Sequence, residues 1–184
     1  IGEYVLEYCV SLTNIEGMNS MTSLKEINRE FACYTAIKSF KLSRLPLWER
    51  ISASFLGSCF SIIDVEISDM PKLTTIGSRF CGTLGINNVV ENVTLSNLPL
   101  LLKGTGTTMS SYGVRGSFLL DTPNLKTITL SSDITAMCFY KSSSTTDYNF
   151  AVCFDPTFPS YVNGVTLNCT AENKTAFQTR FPDL

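Results

Sequence analysis

Seven cysteines, at positions 9, 33, 59, 81, 138, 153 and 169, are the first residues of this 184-residue chain that could do chemistry. A thiol can bind a soft metal, close a disulfide or attack as a thiolate, and each use needs a partner. The chain has no histidine. That removes the commonest metal ligand and the usual base for a Ser or Cys nucleophile. No Cys-x-x-Cys pair occurs, so a zinc site would need four thiolates at unsuitable spacing. Cys9, Cys33, Cys59 and Cys81 instead recur at intervals of 24, 26 and 22. Such recurrence suits a stack of small buried side chains, the ordinary role of a free cysteine. Cys138, Cys153 and Cys169 fall outside it, and two of them could form a disulfide in an exported protein.

The remaining chemical candidates resolve into structural roles. Asp64, Glu66, Ser68 and Asp69 could surround a cation, because alternation puts Asp64, Glu66 and Ser68 on one face of a strand. Lys41 stands where Glu66 stands, one period earlier, so a cross-strand pair of about 0.2–1 kcal/mol accounts for the same residues without a metal. Gly104, Gly106 and Gly113 lack the Gly-Lys-Ser/Thr ending of a phosphate loop and read as a bulged or loosened coil. Sequons at Asn92, Asn168 and Asn173 matter only in a glycosylating secretory route. Tyr4, Tyr8, Tyr34 and Trp48 could anchor a partner, but Trp48 aligns with Leu24 and Leu73, which read as core positions. The expectation is a protein that is not an enzyme, with no cofactor and no metal. Net charge −2, charged residues at 16% and no Lys/Arg run argue against nucleic acid. No apolar run approaches the ~20 residues that cross a bilayer, so direct membrane insertion is not expected either.

What positions these residues is a repeat. Prolines recur at 46, 71, 99 and 123, each three or four residues past a short alternating apolar run. An Ile is followed four residues later by a large apolar residue in Ile1/Val5, Ile27/Phe31, Ile51/Phe55 and Ile76/Phe80. Two markers with one period near 25 indicate a repeat in which each unit is one coil of a solenoid. The alternating runs Phe40-Lys41-Leu42, Val65-Glu66-Ile67, Val93-Thr94-Leu95, Phe118-Leu119-Leu120 and Ile128-Thr129-Leu130 read as strands, outer residues buried and the middle one exposed. Proline then suits the corner, since it fixes φ and cannot continue a ladder.

The expected fold is a β-rich repeat solenoid of leucine-rich-repeat type. One parallel sheet of short strands forms its concave face, with irregular or short helical segments on the convex side. About five coils of ~25 residues fill residues 1–130. Residues 131–184 are expected to form an irregular C-terminal cap, with a last strand and a short helix after an N-cap at Thr170. The polar stretch 140–148 reads as a loop. The start at Ile1, with neither Met nor leader, leads to an expectation of further coils upstream. By parity the outward residues of the sheet are Ser39, Lys41 and Ser43; Asp64, Glu66 and Ser68; Asn92, Thr94 and Ser96; Ser117, Leu119 and Asp121; and Thr127, Thr129 and Ser131. This hydroxyl-rich, mildly acidic surface is the candidate binding face.

The stretch Ile1-Gly2-Glu3-Tyr4-Val5-Leu6-Glu7-Tyr8-Cys9-Val10-Ser11-Leu12-Thr13-Asn14-Ile15 resembles the BspA-like leucine-rich repeat family, whose units run close to I-G-x-x-A-F-x-x-C-x-x-L-x-x-I. The stretch from Ile51 to Ile62 matches the same pattern, and the resemblance covers about residues 1–130. Cys33 and Cys81 fall two or three residues early, and the coil from Gly104 to Gly116 lacks the Ile/Phe/Cys anchors. The resemblance implies a cell-surface or secreted adhesion module that binds a protein partner, such as a host or matrix protein, or a glycan. A structural or assembly component buried against other subunits is the alternative, and a targeting module of a larger enzyme the third.

Overall fold

The alternation in Ser39-Phe40-Lys41-Leu42-Ser43 has a period of two, so one set of side chains must face the core and the other must leave it. The computed structural model describes residues 1–77, 80–81, 89–101, 113–114, 122–131, 164–171, 174–175 and 178. It shows a β-rich chain with almost no helix, built on two parallel sheets of short strands. The wider sheet holds β2 (Ser39–Ser43), β4 (Asp64–Ser68), β6 (Asn92–Ser96), β8 (Thr127–Leu130) and β9 (Thr166–Asn168), in that order. The narrower sheet was not expected. It holds β1 (Glu26–Ile27), β3 (Arg50–Ile51), β5 (Thr75–Ile76) and β7 (Gly113–Val114). Its strands have two residues each, too short for alternation to show, although their second residues include the Ile of the Ile/Phe marker.

The two sheets alternate along the chain, and between them runs the core. Phe40, Val65, Val93 and Ile128 stack in register from the wide sheet, as do Leu42, Ile67, Leu95 and Leu130, each at most 5% exposed. Ile27, Ile51 and Ile76 close the narrow side. Phe31, Phe55 and Phe80 form a ring stack between them, with centroids 5.0 and 5.8 Å apart. Phe40 and Trp48 meet Phe55 edge-on, and the Trp48 indole N–H donates to the Arg50 carbonyl, so Trp48 is a core residue as expected.

The corners are tight turns. The turns at 45–48, 70–73 and 98–101 place Pro46, Pro71 and Pro99 second, where a fixed φ is already right. They are closed by the N–H groups of Trp48, Leu73 and Leu101. Just before each turn sits a left-handed residue: Arg44, Asp69 and Asn97, φ 56°, 53° and 52°. Among the described residues six further non-glycine residues adopt positive φ, and they too align: Tyr4, Glu30 and Ser54 in one column, Tyr8, Tyr34 and Ser58 in another. Each column is tied by backbone bonds, such as Tyr4 N–H to Arg29 O, Glu30 N–H to Ala53 O and Tyr34 N–H to Gly57 O.

Two expectations are corrected here. In the wide sheet β6 pairs directly with β8, Thr94 opposite Thr129, so no strand stands between those two. Ser117, Leu119 and Asp121 themselves lie outside the described residues. Pro123 also marks a different corner from the other three prolines. Its turn closes from Leu125 N–H to Thr122 O and leads into β8. At the C-terminal side, β9 continues the wide sheet against β8, and the Lys174 N–H to Thr170 O bond is a helical turn at the expected place.

Candidate functional site

Parallel, in-register pairing converts single outward residues into columns. The first column is Ser39, Asp64, Asn92, Thr127 and Thr166; the second is Lys41, Glu66, Thr94, Thr129 and Asn168. Thr166 and Asn168 come from outside the repeat and were not among the expected binding residues. Their alternation with Leu167 was the available signal.

The columns are laced by hydrogen bonds. Lys41 Nζ lies 2.8 Å from the Glu66 carboxylate, the expected cross-strand pair. Asn92 Nδ2 donates to Asp64 Oδ1 at 2.7 Å, and Asn168 Nδ2 to Thr129 Oγ1 at 3.4 Å. Partial burial pushes the Glu66 carboxyl up, but hydrogen bonds from Lys41 and Ser68 and the Lys41 charge outweigh it and leave it below its ordinary value. Asp69 Oδ1 accepts from Asn97 Nδ2 at 2.8 Å. The acidic oxygens are thus met by protein donors, and no cluster of three metal-ligating side chains occurs among the described residues. Asn92 spends its amide on Asp64, Asn168 is exposed, and Asn173 lies outside the described residues.

A third column departs from expectation. Ser43 and Ser68, expected on the outward face, are buried at 2% and 4% exposure; Ser96 is half-buried. The strands end there and the chain reverses at Arg44 and Asp69, so these serines belong to the corner. Asn19, on a 3-10 turn at Met18–Ser20, covers the first by accepting the Ser43 N–H. Ser68 turns its hydroxyl to Glu66 Oε1. Ser131 Oγ accepts the Asn97 N–H. The face that remains is two residues wide.

The cysteines are not one stack. Cys9 and Cys59 share a column with Thr35, Cys33 stands in the column of Gly57, and Cys81 in that of Ala32 and Leu56. Cys33, Cys59 and Cys81 are buried, whereas Cys9 is exposed. Burial pushes the Cys33 thiol up to about 12, and raises Cys59 and Cys81 as well. Cys33 donates to Ser54 O and Cys59 to Ala32 O. Such thiols are protonated, hydrogen-bonded core residues rather than nucleophiles. Cys169 is a half-buried free thiol, while Cys138 and Cys153 lie outside the described residues.

Of the tyrosines, Tyr8 stacks on Tyr34 with ring centroids 4.5 Å apart, and Arg29 lies over the Tyr4 ring. They stand on the positive-φ columns, away from the wide sheet. No helix among the described residues is long and apolar enough to cross a membrane. No protein-family model, curated protein or solved structure matches this chain.

Proposed function

We propose that the chain is a solenoid of leucine-rich-repeat type, similar to the BspA-like repeats, serving as a non-catalytic binding module of a cell-surface or secreted protein. The outward columns of the wide sheet are its recognition face and a protein its partner. The observation that carries this reading is the pair of polar columns from Ser39/Lys41 to Thr166/Asn168, ordered by strand register and by their own hydrogen bonds. A face ordered before binding loses little side-chain entropy when a partner docks. Its hydroxyls and amides offer donors and acceptors to a peptide or glycan, while Asp64 and Glu66 are met by Asn92 and Lys41. Cap-like residues beyond 131 would close the stack, with β9 as its last rung.

Thr94 sits in the middle strand and Thr129 next to it, so Arg there places bulk and charge at the centre of the face. The test is biolayer interferometry against panels of matrix proteins, cell-surface proteins and glycans, with Thr94→Arg and Thr129→Arg beside the parent chain. The expected result is a binder whose affinity falls about tenfold or more in both variants at unchanged melting temperature. Binders indifferent to both substitutions would remove the wide sheet as the site. Catalytic turnover by the purified chain would remove the reading altogether.

A further inference from the structure

The Asn-x-Thr sequons have unequal places in the fold. Asn92 stands in β6, half-buried between Asp64 and Thr127 of the neighbouring strands, and its amide donates to Asp64 Oδ1 at 2.7 Å. Asn168 closes β9 and is exposed. Its amide reaches Thr129 Oγ1 at 3.4 Å, near the limit for a hydrogen bond. Among the described residues β9 has a wide-sheet neighbour on one side only, whereas β6 has one on each.

Residues 166–170 alternate. Leu167 and Cys169 are half-buried against the core, while Thr166, Asn168 and Thr170 are exposed. A sequon needs an amide, a hydroxyl two positions on, and any residue but proline between them. Here the amide of Asn168 and the hydroxyl-bearing Thr170 are both open to solvent, with Cys169 turned inward between them. An attached glycan is bulky and hydrophilic, so its attachment atom must stay in solvent after folding. Asn168 meets that condition without the loss of a short hydrogen bond.

We infer that Asn168 is an acceptor of an N-linked glycan, with an oligosaccharide carried on a polyprenyl diphosphate as the donor. Asn168 Nδ2 bonds to the anomeric carbon of the first sugar, and the bond from that carbon to the diphosphate oxygen breaks. The polyprenyl diphosphate leaves with the electron pair, the amide gives up one proton, and one N–H stays on Nδ2. Nothing is oxidised or reduced. The glycan stands in the second outward column beside Thr129, so it borders the polar face. The same group on Asn92 would cover the middle strand of that face. This assignment rests on the secretory placement proposed above.

The test expresses the whole chain behind a cleavable signal peptide in a eukaryotic secretory cell line. Peptides are mapped by mass spectrometry after enzymatic deglycosylation in heavy-oxygen water, which turns each occupied Asn into labelled Asp. Label at Asn168 in most molecules is the expected result. Thr170→Ala should remove it and Thr170→Ser, which keeps the hydroxyl, should retain it. Medium and cell lysate are both mapped, so a variant held back by a folding fault still shows its glycan. Melting curves before and after deglycosylation should coincide, since the sugar stands clear of the core. An unlabelled Asn168, or label there that survives Thr170→Ala, overturns the inference. Because the fused leader supplies the route, an empty Asn168 counts against this site whatever partner is found. An occupied one stands even if the wide face binds nothing.

Discussion

The wide and narrow sheets share one core but are specified in different ways. In the wide sheet, five-residue strands alternate, so side chains decide what is buried and what faces outward. In the narrow sheet, two-residue strands carry little of that information. The chain there is held by backbone geometry: left-handed residues in columns, and approaches too close for a side chain. The comparison teaches that side-chain chemistry and backbone shape are divided between the two sides. Substitutions that change backbone freedom should therefore act near the narrow sheet, and those that change side-chain charge near the wide one.

The largest expected effect is at the joint between the two. Phe55 is fully buried and touches Phe31 and Phe80 along the stack, Phe40 from the wide sheet and Trp48 from the corner. Phe55→Ala should cost about 3–5 kcal/mol, the range for truncating a core aromatic. Chemical denaturation measures it, with Phe55→Leu expected to retain the fold at smaller cost. A loss below about 1 kcal/mol for Phe55→Ala would mean that the two sides do not share a core.

Second comes Gly77, which follows β5. A Cβ at this position would clash with the backbone of Ser52 and Ala53 in the preceding unit. Gly77→Ala should cost about 1–3 kcal/mol, because backbone cannot yield as a flexible side chain can. Gly57 contrasts with it: an added Cβ there meets Cys33 Sγ at 3.2 Å, so Cys33→Ala together with Gly57→Ala should cost less than the sum of the single changes. Strict additivity in denaturant melts would show that the two residues do not compete for space.

These elements were unequally legible in the sequence. Strands β2, β4, β6 and β8 could be read because a period of two persists over four or five residues. The narrow strands could not, and the positive-φ columns are filled by Tyr, Glu, Ser, Arg, Asp and Asn, types that do not announce a left-handed turn as Gly does. The coil around 104–116 looked as if it had lost its anchors because the proline spacing was read as one corner when it marks two. Register settles the matter: Val114 precedes Thr127 by 13 residues, as Ile51 precedes Asp64. Counted this way, Val114 and Phe118 repeat the Ile/Phe marker, and buried Thr122 holds the place of Cys59. The extra residues lie between Leu101 and Gly113, twelve positions apart where Leu73 and Thr75 are two. The polar columns were nearly complete from parity alone; what parity missed was where each strand ends, which buried Ser43 and Ser68.

A third change tests the division directly, by sign. Arg44 is exposed and left-handed at φ 56°, a conformation costing a non-glycine residue roughly 1–2 kcal/mol. Arg44→Gly removes that cost and adds the greater unfolded-state freedom of glycine, so a net gain of up to about 1 kcal/mol is expected. Lys41→Gly, three residues earlier in the strand, should instead destabilise by about 0.5–1 kcal/mol or more. Thermal melts that move in the same direction for both would refute the claim that backbone conformation, rather than side-chain contact, governs the corner.

The smallest effect belongs to the wide face. Glu66 sits below its ordinary value of 4.5 in the folded chain, because hydrogen bonds from Lys41 and Ser68 and the Lys41 charge outweigh its partial desolvation. A carboxyl with a depressed folded value binds fewer protons in the fold than when unfolded. Its contribution is therefore complete above about pH 4.5 and is lost as pH falls through the depressed folded value. Lys41 is more than half exposed, so solvent screening holds the pair to about 0.2–1 kcal/mol. Lys41→Ala should lower stability by that much at pH 7 in low salt, and the gap should narrow both in 1 M salt and on acidification. A gap that stayed constant across pH would assign the loss to the packing of the Lys41 stem, and the wide face would then be ordered by apolar contact as the narrow side is by backbone.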